Sequence, residues 1–360
     1  MRVLIAPDKF AGTLTAVQAA EAVADGWRRH APDDELDLAP MADGGPGFVD
    51  VLHAALGGSL DAVTVSGPHG APVPAVVLRV GETAYVESAQ AAGLHLVTGP
   101  VETASSAGVG ELVLAAVAGG ARTVVVGLGG TGTNDGGAGV LAALGAVSDG
   151  VLDGGAAPLA SVTSVDLSVP RLRLAGVTLV AASDVDNPLT GLFGATKTFG
   201  PQKGVTEDRI AEVDGWLEAF ATATDRRTSL EKGAGAAGGI GYALLALGAT
   251  REPGIGLVAD AVSLAARARA ADLVVTGEGA FDFSSRAGKV PYGVAAVASE
   301  ALRPCIALAG QVLVGSREMR ALGIESAYSL VDLVGEERAL GAPAEALADL
   351  AARVARTWSR

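Results

Sequence analysis

The sequence has few cysteines, histidines, aromatic residues and charged residues. Its 360 residues include one cysteine, Cys305, and four histidines, and a single cysteine excludes an intrachain disulfide and a thiolate zinc cluster. The histidines have no metal-ligand spacing, and Cys305 lies in an apolar run, 305–309, that predicts a buried strand. Aromatic residues make up 4 % and charged residues 18 % of the chain, the latter against about 25 % in an average protein.

Long apolar segments are also missing from the sequence. The first apolar run, residues 3–7, is too short for a signal peptide, and every apolar stretch of about 18 residues is interrupted by charge. We therefore predict a cytoplasmic protein without a membrane span. Hydrophobic residues nevertheless make up 49 % of the chain, which is enough for a folded core and excludes a disordered protein.

The charge that is present is mostly negative, with 26 basic and 40 acidic residues and a formal net charge of −14. The sequence has no basic stripe of the kind that binds nucleic acid, so we expect no nucleic-acid partner. An anionic substrate would need positive charge from a few local side chains. Glycine is in excess, with 50 residues, about twice its usual share, which indicates sharp turns or close approach of the backbone to a ligand.

Alternating strand and helix patterns at both ends of the chain predict one doubly wound parallel sheet. The five strand patterns begin at Val3, Leu36, Asp272, Cys305 and Ser326. The middle of the chain starts with hairpin-like strands and continues with further strands and glycine-rich helix starts. We predict an α/β protein in which residues 1–58 and 271–360 form one domain and residues 59–270 form a second, inserted α/β domain.

Acidic residues follow three of the predicted strands. Asp8 and Lys9 follow the first strand, Asp43-Gly44-Gly45 follows the second, and Glu278 stands between two glycines at the end of the third. Ligands of open α/β sheets bind beyond the carboxyl ends of the strands. A strand order of 2-1-3-4-5 would bring all three motifs to one edge of the sheet, where we expect a shared ligand site.

The segment after the predicted strand 123–126 matches G-x-G-x-x-G and contains Gly129 and Gly130. This pattern is nominally a dinucleotide fingerprint, which leaves a nicotinamide dehydrogenase open as an alternative. Thr133, Asn134 and Asp135 follow at once, so a carboxylate stands near the helix start where a pyrophosphate would bind. A phosphate fits beside that carboxylate only with Mg²⁺ between them.

A second glycine-rich loop, 233–239 with Gly235 inside it, precedes an apolar helix. It predicts either a backbone cradle for an anion or close helix packing. Asp186 follows another apolar strand, and Lys203 and Lys289 stand beside glycines. Phosphoryl transfer needs positive charge on the phosphates and Mg²⁺ held by carboxylates, so these residues favour phosphate handling.

Taken together, these motifs resemble the bacterial type I glycerate kinase family. The matching stretches occur in family order over nearly the whole chain, at 5–8, 42–45, 127–139, 183–188, 199–204, 233–239, 276–279, 288–291 and 307–310. The resemblance implies a flavodoxin-like doubly wound sheet interrupted by a second α/β domain. It also implies phosphorylation of D-glycerate to 2-phosphoglycerate, with ATP as co-substrate and Mg²⁺ as cofactor.

We accordingly predict Asp186 as the base or the orienter of the substrate hydroxyl, with Asp8 and Lys9 as further catalytic residues. Glu278 and Asp282 are the predicted Mg²⁺ ligands. The predicted residues for binding substrate and phosphate are Asp43, Gly44, Gly45, Gly129, Gly130, Thr133, Asn134, Asp135, Lys203, Gly235 and Lys289. Glycerate and ATP are the expected partners, and we expect no membrane association.

The chain departs from the family pattern at five positions, one of which is Phe48, where the family usually has a small hydroxyl residue. Ala11 stands where the family usually has lysine, Pro46 where it has glutamate, Ala280 where it has arginine and Ser284 where it has glutamine. Arginine holds a carboxylate or phosphate bidentately, so its loss bears on substrate specificity more than on the fold. Two alternatives stay open: a catalytically weak or non-catalytic relative that binds a nucleotide or small hydroxy acid, and a kinase of another small hydroxy acid.

Overall fold

The protein has a mixed α/β fold. Its structure is a computed structural model that describes residues 1–10, 12–282 and 289–359. Its strands are β1 (Arg2–Ile5), β2 (Glu35–Leu38), β3 (Ser59–Ser66), β4 (Pro72–Val80), β5 (Thr83–Glu87), β6 (Thr123–Gly127), β7 (Val147–Ser148), β8 (Val165–Asp166), β9 (Thr178–Ala182), β10 (Thr250–Glu252), β11 (Leu273–Phe281), β12 (Cys305–Val312) and β13 (Ser326–Ser329).

The α-helices connect these strands and cover the sheets. They are α1 (Ala16–His30), α2 (Phe48–Leu56), α3 (Ala89–Ala92), α4 (Ala107–Ala118), α5 (Ala138–Ala143), α6 (Ser168–Arg173), α7 (Ala195–Lys203), α8 (Ile210–Thr224), α9 (Ile240–Ala246), α10 (Gly254–Ala261), α11 (Leu264–Ala270), α12 (Val290–Glu300), α13 (Ser316–Ala321), α14 (Leu330–Val334), α15 (Glu336–Gly341) and α16 (Pro343–Trp358).

The chain divides into two compact units. Unit 1 comprises Met1–Asp43, Asp50–Leu56 and Ile255–Arg360, and unit 2 comprises Gly44–Val49 and Gly57–Gly254. Helix α11, and α10 from Ile255 onward, therefore belong to unit 1, although they lie inside the segment 59–270 that we predicted as the inserted domain. The strand β10 that precedes them, Thr250–Glu252, was not predicted at all because three residues are too few for a periodic pattern.

Unit 1 contains a five-stranded parallel sheet in the order β13-β12-β11-β1-β2. When these five strands are numbered 1 to 5 along the chain and the sheet is followed from β2 to β13, the order is 2-1-3-4-5. The predicted flavodoxin-like doubly wound sheet is therefore confirmed. Helix α1 begins where the sequence predicts, because the Thr15 hydroxyl accepts from Gln18 N at 3.1 Å and Gln18 Oε1 accepts from Thr15 N at 3.0 Å. Cys305 is buried in β12, and burial raises the pKa of its thiol to about 12.

Unit 2 contains a six-stranded sheet in the order β10-β9-β6-β5-β4-β3. Strands β5, β6, β9 and β10 are parallel, and β3 and β4 form the antiparallel hairpin at the edge. The carboxyl ends of β6 and β9 are adjacent, because Gly127 pairs with Ala182. Loops that follow these two strands therefore start side by side.

One apolar window in the described residues, Val101–Ala118, is long enough to cross a membrane, which we did not predict from the sequence. Its second part is α4, and 56 % of the window is buried inside the protein. Val109, Leu112 and Val113 of this helix belong to the hydrophobic core of unit 2. The window is thus packed as a core helix of that unit.

Candidate functional site

The acidic residues of the first and third strands of unit 1 lie next to each other, as predicted. Strands β1 and β11 pair in parallel, and beyond β1 the amide of Asp8 donates to the Gly277 carbonyl oxygen at 2.8 Å. This hydrogen bond places Asp8 beside Glu278 at the carboxyl end of the sheet. Both side chains are buried, with exposures of 6 % for Asp8 and 5 % for Glu278.

Asp8 is in an environment that disfavours its charged form. Burial is the main cause that raises its pKa to about 7, and the negative charges of Asp43 and Glu278 act in the same direction. Lys9 opposes them, because its Nζ lies 3.7 Å from Asp8 Oδ1 and its amide donates to the same oxygen at 2.7 Å. A carboxyl group that titrates near neutral pH can accept a proton during a reaction.

Lys289 joins the two carboxylates that we predicted as Mg²⁺ ligands. Its Nζ lies 3.7 Å from Glu278 Oε2 and 3.7 Å from Asp282 Oδ1. Among the described residues, no group of three or more His, Cys, Asp or Glu side chains is arranged to hold a metal ion. Two hard carboxylates still fit Mg²⁺, because this ion is held by one or two carboxylates together with substrate phosphates and water.

In unit 2, Asp135 lies inside the protein rather than on a ligand-binding surface. Its Oδ2 accepts hydrogen bonds from Ser106 N and Ser106 Oγ at 2.8 Å each and from Gly139 N at 3.2 Å, and its Oδ1 accepts from Gly137 N at 3.0 Å. The side chain is fully buried, and burial raises the pKa of Asp135. Its carboxylate orders the start of α5, so we no longer count Asp135 among the phosphate-binding residues.

The two glycine-rich loops of unit 2 pack directly on each other. Gly136 N donates to Gly238 O at 3.0 Å, and a Cβ atom on Gly239 would lie 2.4 Å from Gly136 Cα. Gly235 is equally crowded, since a Cβ there would lie 2.3 Å from Pro188 O. We predicted either an anion cradle or close packing for loop 233–239, and the structure shows close packing. An anion cradle stays a prediction; the loop contains three successive left-handed residues, Ala237 to Gly239.

Four other glycines that we predicted to bind phosphate also lie together in unit 2. The segment Gly44–Val49 runs against the loop after β6, so that a Cβ on Gly129 would lie 2.7 Å from Gly45 Cα. Gly44 has φ +92 and a Cβ there would lie 2.8 Å from Ala182 O. Pro46, one of the departures from the family pattern, packs on Gly130, where a Cβ would lie 2.6 Å from its ring. Ala11, Ser284 and Gly288 lie outside the described residues.

Lys203 holds the loop that contains Thr131, Thr133 and Asn134. It is buried, and its Nζ donates to Thr133 O at 2.7 Å and to Thr131 Oγ1 at 3.3 Å. Burial lowers the pKa of Lys203 to about 8, against the opposing charge of Asp135. Asn134 Nδ2 donates to Thr196 Oγ1 at 3.0 Å, whereas Thr133 Oγ1 and Asn134 Oδ1 are buried without a hydrogen-bond partner among the described residues.

Asp186 follows β9 and lies between two cations. Its Oδ1 is 2.7 Å from Arg251 Nη2 and its Oδ2 is 3.0 Å from Lys232 Nζ. The hydrogen bond from Lys232 and the charge of Arg251 hold the pKa of Asp186 below its ordinary value. This carboxylate therefore stays ionised, which suits a hydrogen-bond acceptor that orients a hydroxyl better than it suits a proton acceptor.

We did not select Arg251 or Lys232 from the sequence. Each is separated from Asp186 by more than forty residues of chain (65 and 46 respectively), so only the fold reveals the contact. The position of Lys232 directly before the glycine-rich loop at Gly233 could have indicated it as a site residue. For Arg251 the sequence offers only a basic residue in a short segment before Pro253.

Known proteins with similar sequences and structures point to one family. Residues 3–359 match the Glycerate kinase family. The chain is 40 % identical over 347 residues to a glycerate kinase of Bacillus subtilis, covering 92 % of this chain and 90 % of that protein. It is 39 % identical over 350 residues to the glycerate 2-kinase of Escherichia coli, covering 93 % and 92 % of the two chains. A crystal structure named as a glycerate kinase 2 from Salmonella typhimurium superposes with a TM-score of 0.81 at 37 % identity and covers 99 % of this chain and 98 % of its own.

Proposed function

The chain belongs to the glycerate kinase family, whose members transfer a phosphoryl group to a hydroxyl group, and we propose that it phosphorylates D-glycerate with ATP and Mg²⁺ to give 2-phosphoglycerate. The observation that carries the proposal is the group of four carboxylates and two lysines in unit 1: Asp8, Asp43, Glu278, Asp282, Lys9 and Lys289. Phosphoryl transfer needs opposite charges of this kind close to one another, because both the phosphates and a metal ion must be bound.

Asp8 is the residue that we propose as proton acceptor. The hydroxyl group of the substrate loses its proton as its oxygen attacks the γ-phosphorus, and a carboxylate with a pKa of about 7 is ionised often enough at neutral pH to take that proton. Lys9 lies 3.7 Å from the same carboxylate. Its positive charge favours the ionised form of Asp8 before the proton arrives.

Asp186 has a different proposed role, which follows from its lowered pKa. A carboxylate that stays ionised accepts a hydrogen bond from a substrate hydroxyl and fixes its direction. Productive orientation of reacting groups contributes strongly to rate. Our initial prediction allowed Asp186 to be either base or orienter, and its contacts with Lys232 and Arg251 support the orienter.

Glu278 and Asp282 are the residues that would hold Mg²⁺. The ion would neutralise charge on the phosphate oxygens when bound. Lys289, which touches both carboxylates, would keep them paired with a positive charge when the ion leaves. Lys9 and Lys289 also supply the positive charge that an anionic substrate needs in a chain with a net charge of −14.

The proposal is tested by measuring ADP release with ATP, Mg²⁺ and a panel of small acids that includes D-glycerate, L-glycerate, glycolate and D-lactate. We expect ADP release with D-glycerate well above a control without acceptor. Release with another acid alone would identify a kinase of that acid. Calorimetric binding of ATP or glycerate without ADP release would identify a binding protein that lacks turnover, and both results would refute the proposal.

A further inference from the structure

Arg251 is held in place by its surroundings in unit 2. It lies in β10, where it pairs with Ala181 of β9, and its Nε donates to Ser183 O at 3.1 Å. Gly233, at φ +87, allows the side chain to pass close to the glycine-rich loop, since a Cβ there would lie 2.6 Å from Arg251 Cδ. The side chain is 23 % exposed, so its guanidinium group is fixed in direction but still reaches the surface.

Arg251, Lys232 and Asp186 form a group with two positive charges and one negative charge. Each cation contacts a different oxygen of Asp186, at 2.7 Å and 3.0 Å. The two contacts described for Arg251, with Ser183 O and Asp186, use fewer N–H donors than a guanidinium group has. These three side chains together carry a net charge of +1, and the guanidinium group presents N–H donors in the planar arrangement that matches a carboxylate.

The group is also open to a ligand. The side chains of Asp186 and Lys232 are 58 % and 75 % exposed. Ion pairs at such exposed positions contribute little free energy, so a second anion can share the two cations at small cost. A fixed guanidinium loses less conformational freedom on binding than a free one would.

We propose that Arg251 and Lys232 bind the carboxylate of the substrate, and that Asp186 accepts a hydrogen bond from a hydroxyl group of the same molecule. Arg251 is thus the main residue that selects the acid over neutral polyols. This assignment rests on the proposed function.

The test compares D-glycerate with its neutral amide, glyceramide, in the wild type and in Arg251→Gln. A charge-assisted hydrogen bond contributes about 1.5–3 kcal/mol, so we expect kcat/KM for D-glycerate to fall about 10- to 100-fold. We expect a smaller loss of kcat/KM for glyceramide, which Arg251 reaches only through its contact with Asp186, and a change of less than about twofold in KM for ATP. Arg251→Lys should restore part of the selectivity for the acid.

Two further variants separate binding from folding. Lys232→Gln changes a side chain that is 75 % exposed, so the fold should persist while KM rises more for D-glycerate than for glyceramide. Arg122→Gln is the matched control, because Arg122 is an exposed arginine of the same unit that pairs with Glu82 at 3.2 Å. It should leave both substrates unaffected.

Equal losses with glycerate and glyceramide would show that Arg251 supports the fold only, and a rise confined to KM for ATP would assign it to nucleotide phosphate. Either result would overturn the inference. If the wild type phosphorylates neither compound, the proposed function fails. Calorimetry then decides this inference separately, since wild type must still bind D-glycerate more tightly than glyceramide, and Arg251→Gln must lose that difference.

Discussion

The buried ammonium group of Lys203 donates a 2.7 Å hydrogen bond to the carbonyl oxygen of Thr133. This contact fixes the loop after β6, and a Cβ on Gly238 of the second glycine-rich loop would lie 2.9 Å from the same nitrogen. Lys203 thus touches both loops. We infer that it holds the two loops in register, whereas the sequence had suggested a lysine that contacts phosphate.

Replacement of Lys203 by methionine tests the cost of this buried charge. Burial lowers the pKa of Lys203 from its ordinary 10.5 to about 8, so between these pH values the unfolded chain binds more protons than the folded chain. The free energy of unfolding of the wild type, relative to Lys203→Met, should therefore rise with pH from about 8 upward. Urea titrations of both proteins between pH 7 and about pH 10 measure it, and a constant difference would contradict the buried charge.

Replacement of Asp8 by asparagine should remove activity and increase stability. We expect kcat to fall at least about 100-fold, because a positioned base contributes about 10²–10⁴. In the wild type, the acidic limb of kcat/KM should have a midpoint near pH 7, as the pKa of Asp8 is raised to about 7. The folded state keeps its proton up to that pH while the unfolded state loses it near 3.8. The charged form is therefore destabilising at pH 8, and Asp8→Asn should raise Tm there.

Asp25→Asn is the control for this variant, since Asp25 is an exposed carboxylate of unit 1 that pairs with Arg28 at 3.3 Å. It should change neither the pH profile nor Tm by more than experimental error. An Asp8→Asn enzyme with the full wild-type rate would exclude Asp8 as the base.

Glu278→Gln and Asp282→Asn should raise the Mg²⁺ concentration that gives half-maximal activity. Loss of one ligand carboxylate weakens Mg²⁺ binding, because the protein supplies only two carboxylates to the ion. We expect the Mg²⁺ midpoint to shift by at least about 10-fold in each variant. The measurement is ADP release as a function of free Mg²⁺ at saturating substrates. An unchanged Mg²⁺ midpoint in both variants would show that the ion is held by substrate phosphates alone.

Gly137→Ala should destabilise unit 2 more than Gly248→Ala does. Both glycines have positive φ, +72 and +91, but a Cβ on Gly137 would lie 2.6 Å from Ala243 Cβ and 2.7 Å from Gly239 O, whereas Gly248 has nothing within 4 Å. Gly248→Ala should cost about 1–2 kcal/mol for the left-handed backbone, and Gly137→Ala about 1–3 kcal/mol more for the overlap. Equal losses in chemical denaturation would argue that the two loops are not tightly packed.

The sequence predicts those features that depend on neighbours along the chain. The hydroxyl of Thr15 and the amide of Gln18 predict the start of α1. Apolar runs predict the strands, and the acids near the ends of the first and third strands place Asp8 and Glu278 at one edge once the strand order is known, although β11 extends to Phe281 and so contains Glu278. These predictions succeed because parallel strands bring their carboxyl ends to the same side of a sheet.

The features that the sequence does not predict depend on residues far apart in the chain. Asp135 has the same local context as a ligand-binding carboxylate, and only the contact with Ser106 reveals that it is a buried structural group. Arg251 and Lys232 are candidate site residues only because they contact Asp186. No local pattern carries such information, because tertiary packing decides which charges meet.

The most direct test of the proposed function is the proton-coupled ³¹P NMR spectrum of the products formed from ATP, Mg²⁺ and D-glycerate. We expect one new phosphomonoester signal that grows in step with ADP. A doublet is expected, because the phosphorus of 2-phosphoglycerate couples to a single proton on C2. A spectrum with no new phosphomonoester, or with only the triplet of a phosphate on the CH₂ oxygen, would contradict the phosphorylation of D-glycerate at its 2-hydroxyl group.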